Sequence, residues 1–135
     1  MRLIPDYLWG VLTLWQEARG EPFEGKVAVA EVILHRTKRK FCSDGSIAST
    51  CLWPLQFSGW NAKDPNRIKA ATLDSTAPGV QDCVKAWCEA ADRGSNLVPE
   101  CLHYFNPSIC NPWWAQGAKV VAEIGNHRFI IPKEA

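Results

Sequence analysis

No apolar run in the 135-residue sequence is long enough to span a bilayer. The N-terminus, Met-Arg-Leu-Ile-Pro-Asp-Tyr, lacks the uninterrupted apolar core and small-residue cleavage site of a secretory signal. Neither sign of charge dominates. With 15 basic and 14 acidic residues the formal net charge is +1, so no global field draws the chain to nucleic acid or an anionic membrane. The sequence has no C-x-x-C, no cysteine–histidine zinc spacing and no H-E-x-x-H, so the common zinc signatures are missing and neither metal nor cofactor is expected. Repeats, low-complexity tracts and interdomain linkers are absent as well, which leaves one domain over residues 1–135, expected to be a monomer.

What is present is a 47% hydrophobic composition, typical of a globular domain, with seven tryptophans and six cysteines. A domain of this size rarely needs seven indoles in its core, and indole faces are common platforms for sugar rings. The cysteines stand at 42, 51, 83, 88, 101 and 110, and their even count suggests disulfides. Cys42 with Cys51 and Cys101 with Cys110 each flank a short irregular loop. Bridging a loop of about ten residues would stabilise by roughly 2.5 to 3 kcal/mol. Cys83 and Cys88 lie about 140° apart around one helix, so their pairing is left open.

Periodicity predicts a helix over residues 5–19 with Leu8, Val11, Leu12 and Trp15 as its core stripe. Asp6 falls near that helix's N-terminus, where a carboxylate is favoured. A second helix over 22–40 puts Val27, Val29, Ala30, Ile33 and Leu34 on one side. Opposite them Glu24, Glu31, His35 and Lys38 form a polar stripe, with Glu31 and His35 one turn apart and able to pair. Arg36 and Lys38-Arg39-Lys40 read as a solvated cationic helix end. Residues 41–67 are loop-rich yet carry Trp53, Phe57 and Trp60, which suits the wall of a groove. A short helix over 68–73 follows, then a longer one from Pro78-Gly79 to Gly94 with Val80, Val84, Trp87 and Ala91 inward. Residues 97–117 are irregular. Val120 to Ile124 and His127 to Ile131 read as strands joined by a Gly125-Asn126 hairpin turn.

Residues 14–25, Leu-Trp-Gln-Glu-Ala-Arg-Gly-Glu-Pro-Phe-Glu-Gly, stand out. One helix ends at Gly20 and another restarts after Pro22, crowding Glu17, Glu21 and Glu24 around the junction. A carboxyl group in a helix's last turn faces the negative end of the dipole, which raises its pKa in the direction a general acid needs. Arg19 beside it would act in the opposite sense.

The wording of this stretch, E-A-R-G-E-P-x-E-G-K-V-A-V-A-x-V-I-L-x-R, resembles the opening signature of the SleB/CwlJ-type cell-wall hydrolases. That family includes spore-cortex-lytic enzymes and phage or bacterial peptidoglycan-degrading enzymes. Q-F-S at 56–58, Y-F-N-P at 104–107 and I-G-N-H-x-F at 124–129 agree with it in order, so the resemblance spans about residues 8–131. Where the family usually has Asn in its L-N-R segment, this chain has His35.

The resemblance implies an α+β, mainly α fold: a lysozyme-like, lytic-transglycosylase-like helical domain with a small C-terminal β-hairpin. It implies cleavage of the MurNAc–GlcNAc bond of bacterial peptidoglycan with Glu17 as the single general acid/base. Glu21 and Arg19 would support it, and Gln56, Phe57, Ser58, Trp60, Tyr104, Asn106 and His127 would contact substrate. The nearest alternative is a muramidase-type hydrolase with Glu21 or Asp44 as second carboxylate. Other classes are a metal-dependent amidase using His35, His103 and His127, and an inert glycan-binding module. Without a signal sequence, the protein is expected to be made in the cytoplasm and to act at the wall after release, as a phage endolysin does. Glu31, on the polar stripe, is expected to be dispensable and to serve as a control for Glu17.

Overall fold

The structure, a computed structural model, describes residues 4–133. Among the described residues, five α-helices precede a small antiparallel sheet: α1 (Asp6–Ala18), α2 (Phe23–Arg39), α3 (Ile47–Leu52), α4 (Pro65–Ala71) and α5 (Val80–Ala91). The strands are β1 (His103–Phe105), β2 (Lys119–Ile124) and β3 (His127–Ile131), in the order β1-β3-β2. The chain is thus mainly helical, as expected. The C-terminal hairpin is the β2–β3 pair of a three-stranded sheet, completed by a strand not foreseen within 97–117.

Helix α2 is the central element. Every residue from Gly25 to Ile33 is buried, and α1, α3, α5 and the sheet pack around it. A helix covered on all sides has no solvated face, so the expected polar stripe cannot hold at Glu31. Glu31 is 2% exposed, and its carboxylate accepts from Ser95 Oγ at 2.6 Å, Leu97 N at 3.0 Å and Val98 N at 2.9 Å. It ties the 95–98 segment to α2 and does not pair with His35, whose Nδ1 lies 2.9 Å from the Cys101 carbonyl.

In α1 the innermost residues are Leu14 and Ala18, with Val11 beside them. Leu8 and Leu12 of the expected stripe face an apolar cavity of about 720 Å³ shared with Trp9, Trp60, Val80 and Val84. Helix α5 reaches the core through Cys83, Ala86, Trp87 and Ala90, one step round from the expected Val80–Val84–Ala91 line. The Trp87 ring lies over Gly10, where an added Cβ would overlap it. Gly10→Ala should therefore cost about 1–3 kcal/mol of stability, read as a lower urea midpoint at unchanged slope.

The region 41–67, expected to be loop-rich, contains the short helix α3. Ser46 caps it by accepting from Ser49 N, while Asp6 reaches across from α1 to accept from Ile47 N and Ala48 N, both at 2.9 Å. Asp6 therefore serves two helix N-termini. Gly20, just past the end of α1 as expected, has no positive φ. Gly125 does, at φ 59°, and forms the predicted two-residue turn with Asn126. A Cβ there would overlap a Glu21 carboxylate oxygen, so glycine is required by both backbone and space.

The two loop disulfides are not formed. All six cysteines are free thiols. Cys51 is fully buried on α3, whereas Cys42 sits half-buried in the left-handed turn after α2. Cys101 is buried against the core, while Cys110 is exposed in the turn that follows β1 and directs its thiol to the Asn106 carbonyl. The members of each expected pair thus occupy different environments. Burial pushes the Cys51 thiol up to about 12 and the Cys83 and Cys101 thiols up to about 11, which keeps these three unreactive.

Candidate active site

Alternation along the sheet builds one wall of the site. Tyr104 on β1 pairs with Phe129 on β3, and His127 lies two residues from Phe129, so the three rings share a face. Their centroids are 4.8 Å apart for Tyr104–His127 and 5.6 Å for Tyr104–Phe129. Helix α1 ends against this face. From its last turn Glu17 turns inward, and the Tyr104 hydroxyl donates to its Oε1 at 2.5 Å.

Burial raises the pKa of Glu17 above the usual glutamate value. The Tyr104 hydrogen bond and the Arg36 charge pull it back down, and the Asp64 charge pushes it up. The direction matches the expectation, and desolvation is its largest cause. Burial raises the Tyr104 hydroxyl well above its ordinary value, so it remains a donor at neutral pH.

Arg36 is the residue the sequence reading missed. Expected at a solvated helix end, it is 7% exposed, with Nε donating to the Leu102 carbonyl at 2.7 Å. Its guanidinium lies 5.4 Å from the Phe41 ring centroid and 5.2 Å from that of Phe57, and Nη1 reaches Gln56 Oε1 at 3.4 Å. The available signal was the R closing the L-x-R segment of the family-like stretch.

The other expected residues divide. Gln56 is brought to the site through Arg36, and Ser58 is exposed at the start of a 3-10 turn spanning Ser58–Trp60. Phe57 is 3% exposed and is a core residue beneath Arg36, so it offers no face to a ligand. Trp60 is turned away: its Nε1 donates to Thr13 Oγ1 at 2.8 Å, its edge packs on Trp9, and it lines the apolar cavity. That cavity is flanked by Leu8 and Leu12, on the opposite side of α1 from Glu17. Asn106 spends its side-chain oxygen on Ser108 N, shaping the turn after β1.

Arg19 does not act on Glu17. It lies 4.1 Å over the Trp15 ring and donates to Asn66 Oδ1 at 3.1 Å. Glu21 braces the site from outside: its two oxygens accept from Asn126 N at 2.7 Å and Asn126 Nδ2 at 2.8 Å, locking the hairpin to the α1–α2 junction. His127 Nδ1 lies 3.8 Å from Glu21 Oε1, and burial holds the imidazole below its usual pKa despite that carboxylate. Asp44 accepts from Ser46 and Ser49 in the turn before α3, and these bonds lower its pKa. Of the two carboxylates the hydrolase alternative names, Glu21 thus holds the hairpin and Asp44 the turn before α3. The carboxylate whose charge acts on Glu17 is Asp64, which also caps α4 through Asn66 N at 2.8 Å.

The three histidines of the amidase alternative lie apart in role. His35 bonds the Cys101 carbonyl, His103 packs between Phe41 and Trp114, and His127 faces Tyr104 and Glu21. Among the described residues, no three His, Cys, Asp or Glu side chains converge on a common metal position.

Against known proteins, a family model described as Cell Wall Hydrolase matches residues 20–130. The chain is 31% identical over 129 residues to the spore cortex-lytic enzyme of Bacillus subtilis, covering 96% of this chain and 36% of that protein. It is 32% identical over 116 residues to the spore cortex-lytic enzyme of Oceanobacillus iheyensis, covering 86% and 38%. The chain thus spans little more than a third of the length of these relatives. Among solved structures, it resembles the catalytic domain of the germination-specific lytic transglycosylase SleB from Bacillus anthracis. That match has a TM-score of 0.70 and 24% identity, covering 93% of each chain. The catalytic domain of the Bacillus cereus SleB protein gives a TM-score of 0.71 at 24% identity, covering 93% of this chain and 89% of that one. These likenesses establish the shared, lysozyme-like fold.

Proposed function

Because the chain belongs to the cell wall hydrolase family, we propose that it degrades bacterial peptidoglycan as a lytic transglycosylase, with Glu17 as its one acid/base. The observation that carries this reading is the Glu17–Tyr104 pair: a carboxyl group turned inward and raised in pKa by burial, yet hydrogen-bonded in a way that also stabilises its anion.

The chemistry follows from that balance. Protonated Glu17 gives its proton to the oxygen bridging MurNAc C1 and GlcNAc. The C1–O bond breaks, its electron pair leaves with that oxygen, and C1 takes on oxocarbenium character. The Glu17 carboxylate then removes the proton from the C6 hydroxyl of the same MurNAc, and O6 bonds to C1. The product ends in 1,6-anhydro-MurNAc, water is neither consumed nor released, and Glu17 is protonated again. One carboxyl group suffices. That Glu21 and Asp44 are engaged elsewhere supports this economy over a two-carboxylate hydrolysis.

A second reading rests on Asp64, the carboxylate whose charge acts on Glu17 and which would then serve to activate water. In that case the enzyme is a muramidase. Peptidoglycan O-acetylated at C6 separates the two. A transglycosylase should fail on that substrate and cut the de-acetylated wall, releasing muropeptides one water lighter than hydrolysis products by mass spectrometry. Equal cleavage of both substrates would reject the transglycosylase reading. Release of nothing from either wall would favour an inert glycan-binding module.

A further inference from the structure

Arg36 carries a charge in the wrong place for an ordinary structural arginine. It is buried, and its partners are neutral: the Leu102 carbonyl, the Gln56 amide oxygen and two aromatic faces. Among the described residues no carboxylate lies within 4.0 Å of it. A cation removed from water without an ion pair is costly, unless a charge develops nearby that it can stabilise.

The groups facing it leave one candidate for that charge. From β1, Tyr104 stays protonated, and His103 is kept neutral because burial, then Arg36 itself, depress its pKa to about 4. From α3 comes the Cys51 thiol, held up at about 12, and from the turn after α2 comes the neighbouring Cys42 side chain. From α1 comes Glu17, whose carboxylate both feels Arg36 and is felt by it. Asp64, ahead of α4, acts on Glu17 in the opposite sense.

We propose that Arg36 is a positioning residue for the proton chemistry of Glu17: its clamped guanidinium stabilises the carboxylate that exists between the two proton transfers. This inference rests on the reading of Glu17 as acid/base. Burial alone would keep Glu17 protonated and disfavour the carboxylate that its proton donation creates. Tyr104 and Arg36 together restore the second state, so that one residue completes both halves of the reaction. The packing of Arg36 between Phe41 and Phe57 fixes the charge at one place instead of letting it swing into direct contact, where it would hold Glu17 permanently ionised.

The test is a carboxyl-carbon NMR titration of glutamate-labelled protein, with the Glu17 signal assigned by its loss in Glu17→Gln. Arg36→Gln should move the Glu17 midpoint upward, and Arg36→Lys should bring it back toward the parent. The alkaline limb of kcat/KM should move with the midpoint, and the loss in Arg36→Gln should fall on kcat with KM held. An unmoved Glu17 midpoint in folded Arg36→Gln overturns the proposal. If Arg36→Gln does not fold, the parent supplies the reading. The Arg36 Nε and Cζ shifts should inflect at the Glu17 midpoint and lose that inflection in Glu17→Gln, and shifts without it overturn the proposal. Neither titration requires turnover. Failure to cut peptidoglycan would therefore refute the proposed function while the Arg36–Glu17 coupling is still decided on its own.

Discussion

Glu17→Gln should abolish wall clearance while leaving the protein folded. The amide can neither give the first proton nor take the second. General acid–base catalysis contributes roughly 10²- to 10⁴-fold at one step, and a residue serving two steps should lose at or above the upper end of that range. Gln retains an oxygen to accept from Tyr104, so the local hydrogen bond survives. The fold should in fact gain. The folded-state pKa of Glu17 is raised, so the stability it contributes is complete below the ordinary glutamate range and is lost as pH rises through the folded value. Above the ordinary glutamate range the parent bears the cost of burying this ionisable group and the amide does not. Urea melts should find Glu17→Gln more stable than the parent near neutrality, the difference vanishing on acidification below the usual glutamate pKa. Glu24→Gln, on the exposed first turn of α2, is the proper control and should keep parental activity. Clearance by Glu17→Gln within about tenfold of the parent would move the acid elsewhere.

Glu31→Ala should produce the largest loss of stability among the carboxylates, about 2–4 kcal/mol. Its removal strands the Val98 amide inside the domain and releases the Ser95 and Leu97 donors toward solvent. Val98 itself is fully buried, so detaching the segment also exposes core. The amides of Leu97 and Val98 should lose hydrogen-exchange protection before the rest of the chain. The segment leads directly to Leu102 and Tyr104, so activity should fall along with the folded fraction. A urea midpoint corresponding to less than about 1 kcal/mol of change would contradict this anchoring role.

Glu31 also shows where the sequence stops being informative. Helical spacing correctly separated Glu31 from Val29, Ala30 and Ile33, but spacing says nothing about what covers the other face. That depends on residues 95–98, more than sixty positions away. Arg36 was misread for the same reason: its partners Leu102, Phe41 and Phe57 come from three separate segments. Strand β1 has only three residues and exists through pairing with β3, so no local pattern announces it. Helix α3 is only six residues long, and its N-terminus is completed by Asp6 from another helix.

What was legible was local. The Gly125-Asn126 turn follows from backbone chemistry alone, and α1, α2 and α5 follow from period and caps. Glu17 was legible as an unusual carboxylate at a helix junction, and Tyr104 as part of Y-F-N-P. Their contact across 87 residues was not. Trp60 and Phe57 were read as groove residues from their aromatic character, which does not reveal the direction a ring faces.

The central claim, one carboxyl group serving both proton transfers with the sugar's own hydroxyl as nucleophile, is tested most directly by digesting purified peptidoglycan in heavy-oxygen water. The account predicts glycan ends that carry no heavy oxygen and are one water lighter than reducing muramic acid. Reducing ends carrying one heavy oxygen at C1 would contradict it, because that atom enters only when water attacks.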